Sequence, residues 1–352
     1  MAKKAVPAAF DPDAAASDES GIFGLPTDPE HAAVHVIPVP FDATTSYRKG
    51  TARGPEAVLR ASRQVDLYDI HFGRFWQKGI VCLEPDARIA RLNAKAGERA
   101  DRIIAVGGRI DGRKGLARDL EKVNAIGAEV NEIVRGEVDR ALGQKKLPVV
   151  LGGDHSTPFG AIQAVAERHP GVGVLHFDAH ADLREAYEGF AWSHASIMNN
   201  VVTRIEGVAK VVQVGIRDFG ERELELIQGS KGRVTTLFDA DWARAKLDGA
   251  NLRELVKKTI AQLPKEIHIS FDVDGLDPTL CPNTGTPVPG GLSWHEAVLW
   301  IEEIAKSGKR VVGLDLNEVS PGATDDEDDS WDAIVGARLL YKLIGAALAT
   351  RS

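Results

Sequence analysis

The chain has 352 residues, enough for one large α/β domain or two small ones. Its 51 Asp+Glu outnumber 43 Lys+Arg, and the net charge of −8 argues against a nucleic-acid or anionic-membrane surface. Two cysteines, Cys82 and Cys281, are too few for a disulfide framework, and no run reaches the roughly 18 apolar residues of a membrane span. The first twenty residues lack the apolar stretch of a leader, so the expectation is a soluble cytoplasmic protein with no nucleic-acid or membrane partner.

Residues 1–20 are small, polar and acidic and read as a disordered arm; a single domain is expected over 21–352. From residue 33 onward, short β-branched runs alternate with helical patterns. The strand candidates are 33–39, 79–83, 147–151, 172–177, 211–215, 234–238, 266–272 and 310–315. Most are nearly continuous apolar runs, as expected for parallel strands covered on both faces. Helices are predicted over 55–63, where Pro55 suits a first turn, and over 118–142 from three- and four-residue apolar spacing. A Ser293/Glu296 capping box opens another helix, and 331–349 is the last. Residues 84–116, rich in Arg, Gly and Lys and weakly periodic, read as an inserted solvated excursion, with a lid or a subunit contact as alternatives. The alternation predicts an α/β fold around an open, mostly parallel sheet.

Three segments place polar residues where burial should exclude them. Gly152-Gly153-Asp154-His155-Ser156, Asp178-Ala179-His180-Ala181-Asp182 and Ser270-Phe271-Asp272-Val273-Asp274-Gly275 each follow an apolar strand. The carboxyl edge of an open α/β sheet is where ligands bind. Residues two apart in an extended chain point the same way, so Asp178, His180 and Asp182 can converge, as can Asp272 and Asp274. Four carboxylates in one place repel and raise one another's pKa. Two divalent cations relieve that conflict, and oxygen-plus-imidazole donors suit manganese, iron, nickel or zinc better than calcium. Ions about 3.5–4 Å apart also make hydroxide available near neutral pH. Two M²⁺, four carboxylates and a bridging hydroxide sum to −1, attractive to a cationic substrate.

The three segments resemble the metal-binding signatures of the ureohydrolases, the arginase and agmatinase family, with a likeness running from about residue 33 to the C-terminus. The resemblance implies one metal on His155, Asp178, Asp182 and Asp272, and a second on His180, Asp178, Asp272 and Asp274. It implies manganese, with nickel as the alternative, and a three-layer α/β/α sandwich around an eight-stranded parallel sheet. Glu318, in GLDLNEVSP, matches the glutamate that holds the guanidinium group, and His194 matches a proton-shuttle histidine. The implied reaction is hydrolysis of a C–N bond in a small cationic guanidino compound by metal-bridging hydroxide. Urea or a substituted urea would leave with ammonia or an amine.

The loop 183–192 is bulky and partly aromatic, unlike the small polar loop that reads the amino-acid end of arginine in arginases. The wording resembles the agmatinase branch, which includes guanidine hydrolases, so agmatine, guanidine and N-substituted guanidines or biguanides all stand as substrates. Thr45, Tyr47 and Trp192 are candidates for lining the pocket, against a plain hydroxyl-rich turn at 42–47. Asp154 and Asp277 read as supporting or turn residues, and His176 and His268 as core or supporting groups. The resemblance also implies a homo-oligomer, trimer or hexamer. Rival readings are a single-zinc deacetylase and a catalytically silent subunit paired with a paralogue. A nucleotide site has no phosphate-binding motif to support it.

Overall fold

In the computed structural model, which describes residues 5–322 and 330–351, eight strands form one sheet in the order β2-β1-β3-β8-β7-β4-β5-β6. The elements run β1 (Val34–Val39), α1 (Gly54–Ala61), β2 (Ile80–Cys82), α2 (Ala87–Ile104), α3 (Lys114–Gly143), β3 (Leu147–Gly152), α4 (Phe159–Arg168) and β4 (Val172–Phe177). They continue as α5 (Ile197–Arg204), β5 (Val208–Ile216), α6 (Glu221–Gly229), β6 (Val234–Phe238), α7 (Asp239–Leu247) and α8 (Leu252–Ala261). The last are β7 (Glu266–Asp272), α9 (Trp294–Lys306), β8 (Arg310–Asn317) and α10 (Trp331–Ala349). Every strand pair is parallel, and every predicted strand is present.

Three layers follow from where alternate strand residues go. Val34, Val36, Leu147, Val149, Leu175 and Phe177 face a core that takes in α1, α8, α9 and α10. Their neighbours Ile37, Val39, Val150, Val172 and Val174 face a second core with α2, α3, α4 and α5. Both faces of the central strands are therefore dry, which explains the unbroken apolar runs. Trp300 on α9, fully buried, packs edge-on against Phe177 at 5.5 Å, immediately before the first acidic residue of the site. Helix α10 is buried almost all round, under α1 and α9 and over β8.

Two expectations are corrected. The 84–116 stretch is not a solvated excursion: 18 of its residues form α2, capped by the Asp86 carboxylate accepting from the Arg88 backbone N–H. Its buried face is Ile89, Leu92, Ala96, Ala100 and Ile103, a helical spacing in which alanines replace large groups and so hide the periodicity. Arg99 and Arg102 tie α2 to buried Asp119 of α3, at 2.7 and 3.2 Å. The paired helices enclose Phe190 in a small core of their own with Ala100, Ile103 and Val123. The segment read as a free arm, as far as it is described from residue 5, lies on the body. Val6 is buried, Phe10 meets Trp76 edge-on at 5.6 Å, and the Arg63 guanidinium donates to the Ser20 carbonyl at 3.1 Å.

The loop after α1 is pinned to α10 by the Tyr341 hydroxyl, donating to the Leu67 carbonyl at 2.6 Å, and by Lys342 on Asp69 at 2.8 Å. Burial raises the Asp69 pKa, but the Lys342 ammonium and the backbone N–H groups of His71 and Phe72 outweigh it and hold the group below its usual 3.8. A carboxylate with a depressed folded-state pKa stabilises the fold above its unfolded value and loses that contribution as pH falls through the folded value. Lys342→Met should therefore cost about 1–3 kcal/mol at pH 7. Urea denaturation should show the deficit shrinking steadily as the pH is taken below 3.8.

Candidate metal centre

The functional residues sit on loops leaving β3, β8, β7, β4 and β5, five consecutive strands at the middle of the sheet. After β3 the chain must turn under its neighbour. A Cβ on Gly153 would lie 2.1 Å from the Phe41 carbonyl oxygen, and one on Gly152 would lie 2.1 Å from Asn317 Oδ1. Both glycines are thus required by close approach, and they deliver His155 into the centre of the carboxyl edge.

His155 Nδ1 faces three carboxylates: Asp178 at 3.0 Å, Asp182 at 3.3 Å and Asp272 at 3.3 Å. On the other side of Asp178, His180 Nδ1 lies 3.5 Å from Asp178 Oδ1 and 2.9 Å from Asp274 Oδ2. Asp178 lies between the two histidines, and Asp272 and Asp274 close the cluster from β7. The loops are tied down through the same carboxylates. Asp178 Oδ1 accepts from the His180 N–H, Asp272 Oδ1 from the Asp274 N–H, and Asp274 Oδ1 from the Ala179 N–H. All six candidate ligands are brought together, five of them buried and His180 partly exposed. Asp182 (φ 53°) has left-handed backbone, which costs a non-glycine residue about 1–3 kcal/mol and tends to persist where function demands it.

His176 also approaches the cluster, with Nε2 2.8 Å from Asp178 Oδ2. Its Nδ1 lies 3.1 Å from the Gln213 amide nitrogen, a donor, so the ring proton is on Nε2 and is given to Asp178. His176 therefore orients a carboxylate and presents no free nitrogen to a cation.

The electrostatics are those of carboxylates and imidazoles crowded together out of water. Burial, then Asp274 and Asp178, push the Asp272 carboxyl well up; burial and Asp178 raise Asp182 to about 8, and raise Asp274 as well. Against the cost of burial, Asp274 and Asp178 raise His180 to about 12, and the surrounding carboxylates raise His155 well above 6.5. Burial works to raise Asp178 too, but His176, His155 and His180 outweigh it and hold it well below the ordinary range. Hard oxygen donors with two imidazoles, too close to remain ionised together, fit a pair of divalent cations. His155, Asp178, Asp182 and Asp272 could hold one ion, and His180, Asp178, Asp272 and Asp274 the other.

Glu318 stands at the end of β8, between the strands that carry His155 and Asp272. Its backbone is also left-handed (φ 65°), and its N–H is donated to the Gly153 carbonyl at 2.8 Å. Oε1 accepts the His155 backbone N–H at 2.9 Å, while Oε2 is buried with no hydrogen-bond partner among the described residues. Burial, with Asp272 and Asp154 nearby, pushes its carboxyl well up.

A cavity of about 170 Å³ opens over the cluster, lined by Ser46, His180, Asp182, Arg184, Tyr187, His194, Ala195, Asp218, Glu223 and Thr286. His194 borders it, with Nδ1 buried and without a hydrogen-bond partner among the described residues; burial and the facing His180 push its pKa down to about 4, so the ring is neutral at pH 7. Thr45 is buried and donates to Asp154 at 3.4 Å. The Tyr47 ring is 59% exposed, and its carbonyl, not its ring, lies near Gly285 beside Glu318. Trp192 is not brought to the cavity: its ring packs 4.9 Å from Phe159 and against Gly127 of α3, under the Arg204 guanidinium. Tyr187 lines the wall instead, stacked by Arg184 at 5.1 Å. Sequence reasoning missed Asp218, Glu223 and Thr286; Asp218 follows β5 at the same sheet edge, which was the available signal. A larger groove of about 590 Å³ lies away from this edge, between α8 and α9, and its cations Arg253 and Lys306 are paired with Glu302 and Glu303.

A family model described as "Arginase family" matches residues 32–345. The chain is 35% identical over 326 residues to an N(1)-aminopropylagmatine ureohydrolase of Thermus thermophilus, covering 92% of this chain and 94% of that one. It is 30% identical over 323 residues to an agmatinase of Pyrococcus horikoshii, covering 91% and 94%. The crystal structure of the agmatine ureohydrolase of Thermoplasma volcanium superposes with a TM-score of 0.68 at 23% identity, covering 92% of each chain, a likeness of fold.

Proposed function

Starting from the fact that this chain belongs to the arginase family and is a hydrolase of C–N bonds in guanidino compounds, we propose that it is a two-metal ureohydrolase of small guanidino cations in which Glu318 receives the guanidinium group. The observation that carries this reading is the half-satisfied Glu318 carboxylate, one oxygen bonded to the His155 N–H and the other buried and free, beside six imidazole and carboxylate groups. Guanidinium is planar and offers paired N–H donors that match such a carboxylate. When bound, two divalent cations would neutralise the four aspartates and acidify a water molecule. Manganese, the family's usual ion, is the first choice and nickel the second, because a donor set of oxygens and imidazoles binds nickel well.

The chain's own groups supply the rest. Glu318 holds the guanidinium by two of its nitrogens and fixes the carbon over the cluster. Water oxygen adds to that carbon, a C–N bond breaks, and urea or a substituted urea leaves with ammonia or an amine. His194, neutral and bordering the cavity, takes a proton on its imidazole ring and returns it to the departing nitrogen. Tyr187 and the Arg184–Glu223 pair (3.5 Å) set how much substituent the cavity admits. The segment carrying Tyr187 is held by Asn124 of α3, whose amide donates to the Gly189 carbonyl at 3.3 Å and accepts from the Ala191 N–H at 2.9 Å.

A panel of guanidine, methylated guanidines, biguanide, agmatine, guanidinobutyrate and arginine on manganese- and nickel-loaded protein tests this, with urea and amine both quantified. Release of urea or a substituted urea from at least one member is expected. Turnover of none, with two metals bound, would overturn the reading.

A further inference from the structure

Beneath the cluster, two strands, β7 and β8, contribute polar groups that the reaction does not use. His155 turns Nδ1 to the carboxylates and Nε2 to the Ser270 hydroxyl, 2.9 Å away on β7. Ser270 Oγ lies 2.7 Å from Asp315 Oδ1 on the adjoining strand β8, its direct partner in the register. His268 Nε2 reaches Asp315 Oδ2 at 2.6 Å, and the Asn317 amide donates to Oδ1 at 2.5 Å. All five residues are buried, none more than 1% exposed.

The direction of this chain follows from its chemistry. A carboxylate only accepts, so the Ser270 hydroxyl gives its one proton to Asp315. The Ser270 oxygen is then left to accept, and the His155 ring must carry a proton on Nε2 to meet it. That leaves Nδ1 as the nitrogen free to ligate, and Nδ1 is the atom that faces Asp178, Asp182 and Asp272. We propose that Ser270 and Asp315 are positioning residues that fix the ligating tautomer of His155 and raise its basicity toward a cation. This rests on the two-metal reading of the site. A hydrogen-bond chain of this kind behind a metal-bound imidazole is worth about 10–100-fold in metal affinity.

The hydroxyl has no substitute. In Ser270→Ala, the next acceptor near Nε2 is Asp315 Oδ1 at 4.0 Å, beyond hydrogen-bond reach, and the acceptors left for a ring proton are the carboxylates of Asp178, Asp182 and Asp272, 3.0–3.3 Å from Nδ1. The proton is then drawn to the nitrogen that the metal needs. A cluster kept only for packing would show no such asymmetry between the two ions.

Stepwise Mn²⁺ titration of the metal-free full chain, by calorimetry and by the electron paramagnetic resonance of free and paired ions, reads the effect. Wild type should bind two ions. Ser270→Ala should bind the His155-side ion about 10–100-fold more weakly. The ion on His180 should be little changed, and Ser270→Thr, which keeps the hydroxyl, should restore the first. In the Zn²⁺-loaded protein, ¹H–¹⁵N spectra should show a hydrogen-bonded His155 Nε2–H resonance that is lost in Ser270→Ala. Should Ser270→Ala not fold, Asp315→Asn must weaken the same ion alone. Wild-type affinity for both ions in the variant, or an unchanged Nε2–H resonance, would overturn the proposal. A wild type that binds no Mn²⁺ would instead overturn the two-metal reading.

Discussion

Asp272→Asn should abolish turnover, by about a thousandfold or more, and should raise the melting temperature of the metal-free protein. The two effects have one origin. Asp272 Oδ2 lies 3.3 Å from His155 Nδ1, while Asp274, two residues on, reaches His180. With Asp178, which lies between the two histidines, Asp272 is one of the two carboxylates proposed to serve both cation positions. Loss of charge stabilisation worth about 4 kcal/mol corresponds to three decades in rate. Without ions the same carboxylate is a liability, since burial, Asp274 and Asp178 all oppose its charge. Asparagine has nearly the same shape and its carbonyl can still accept the Asp274 N–H, so the change isolates the charge. Calorimetric melts with and without Mn²⁺ should show the ranking of wild type and variant reverse. A variant that melts lower than wild type in both conditions would sink the electrostatic account.

Glu318→Gln should lower kcat/KM by about a hundredfold to a thousandfold while leaving two Mn²⁺ bound, the range for losing a charged, geometrically matched contact in a dry site. The His155 N–H can still be accepted by the glutamine oxygen, so the loop after β3 should stay in place. What disappears is the negative charge and the second acceptor facing the guanidinium. Because Oε2 makes no other bond, the variant loses no internal contact, and its stability should match or exceed that of wild type. Steady-state kinetics beside a metal count and a thermal melt separate these effects. Loss of metal in this variant would mean that Glu318 serves the cluster instead of the substrate.

Much of this was legible in the residue string, for identifiable reasons. The strands announce themselves because both faces are buried, so runs such as Val172–Phe177 and Leu147–Gly152 are apolar without interruption. The polar segments after β3, β4 and β7 stood out against those runs. Helix α2 was hidden because alanines at 96 and 100 carry its buried face, and burial of a small side chain leaves little hydrophobic contrast. The directions of Tyr187 and Trp192 were not readable either. They lie five residues apart in one loop, and only contacts with α3 and α4 decide which ring turns toward the cavity. The Ser270–Asp315–His268 chain was invisible for another reason. Its members are hydrogen-bonded across neighbouring strands, and a sequence states no register between residues 45 positions apart.

Strand order carries a further consequence, for how the molecule is made. Within the sheet β3 has β1 on one side and β8 on the other, with Val149 opposite Leu314. The nascent chain must therefore hold β3 half-paired until β8, which ends at Asn317, has left the ribosome. Closure of the middle of the sheet is a late, non-local event of the sort that slows folding. Only then are the aspartates after β4 and β7 brought beside His155. The six imidazole and carboxylate groups are therefore assembled as a set only in a chain whose sheet has already closed.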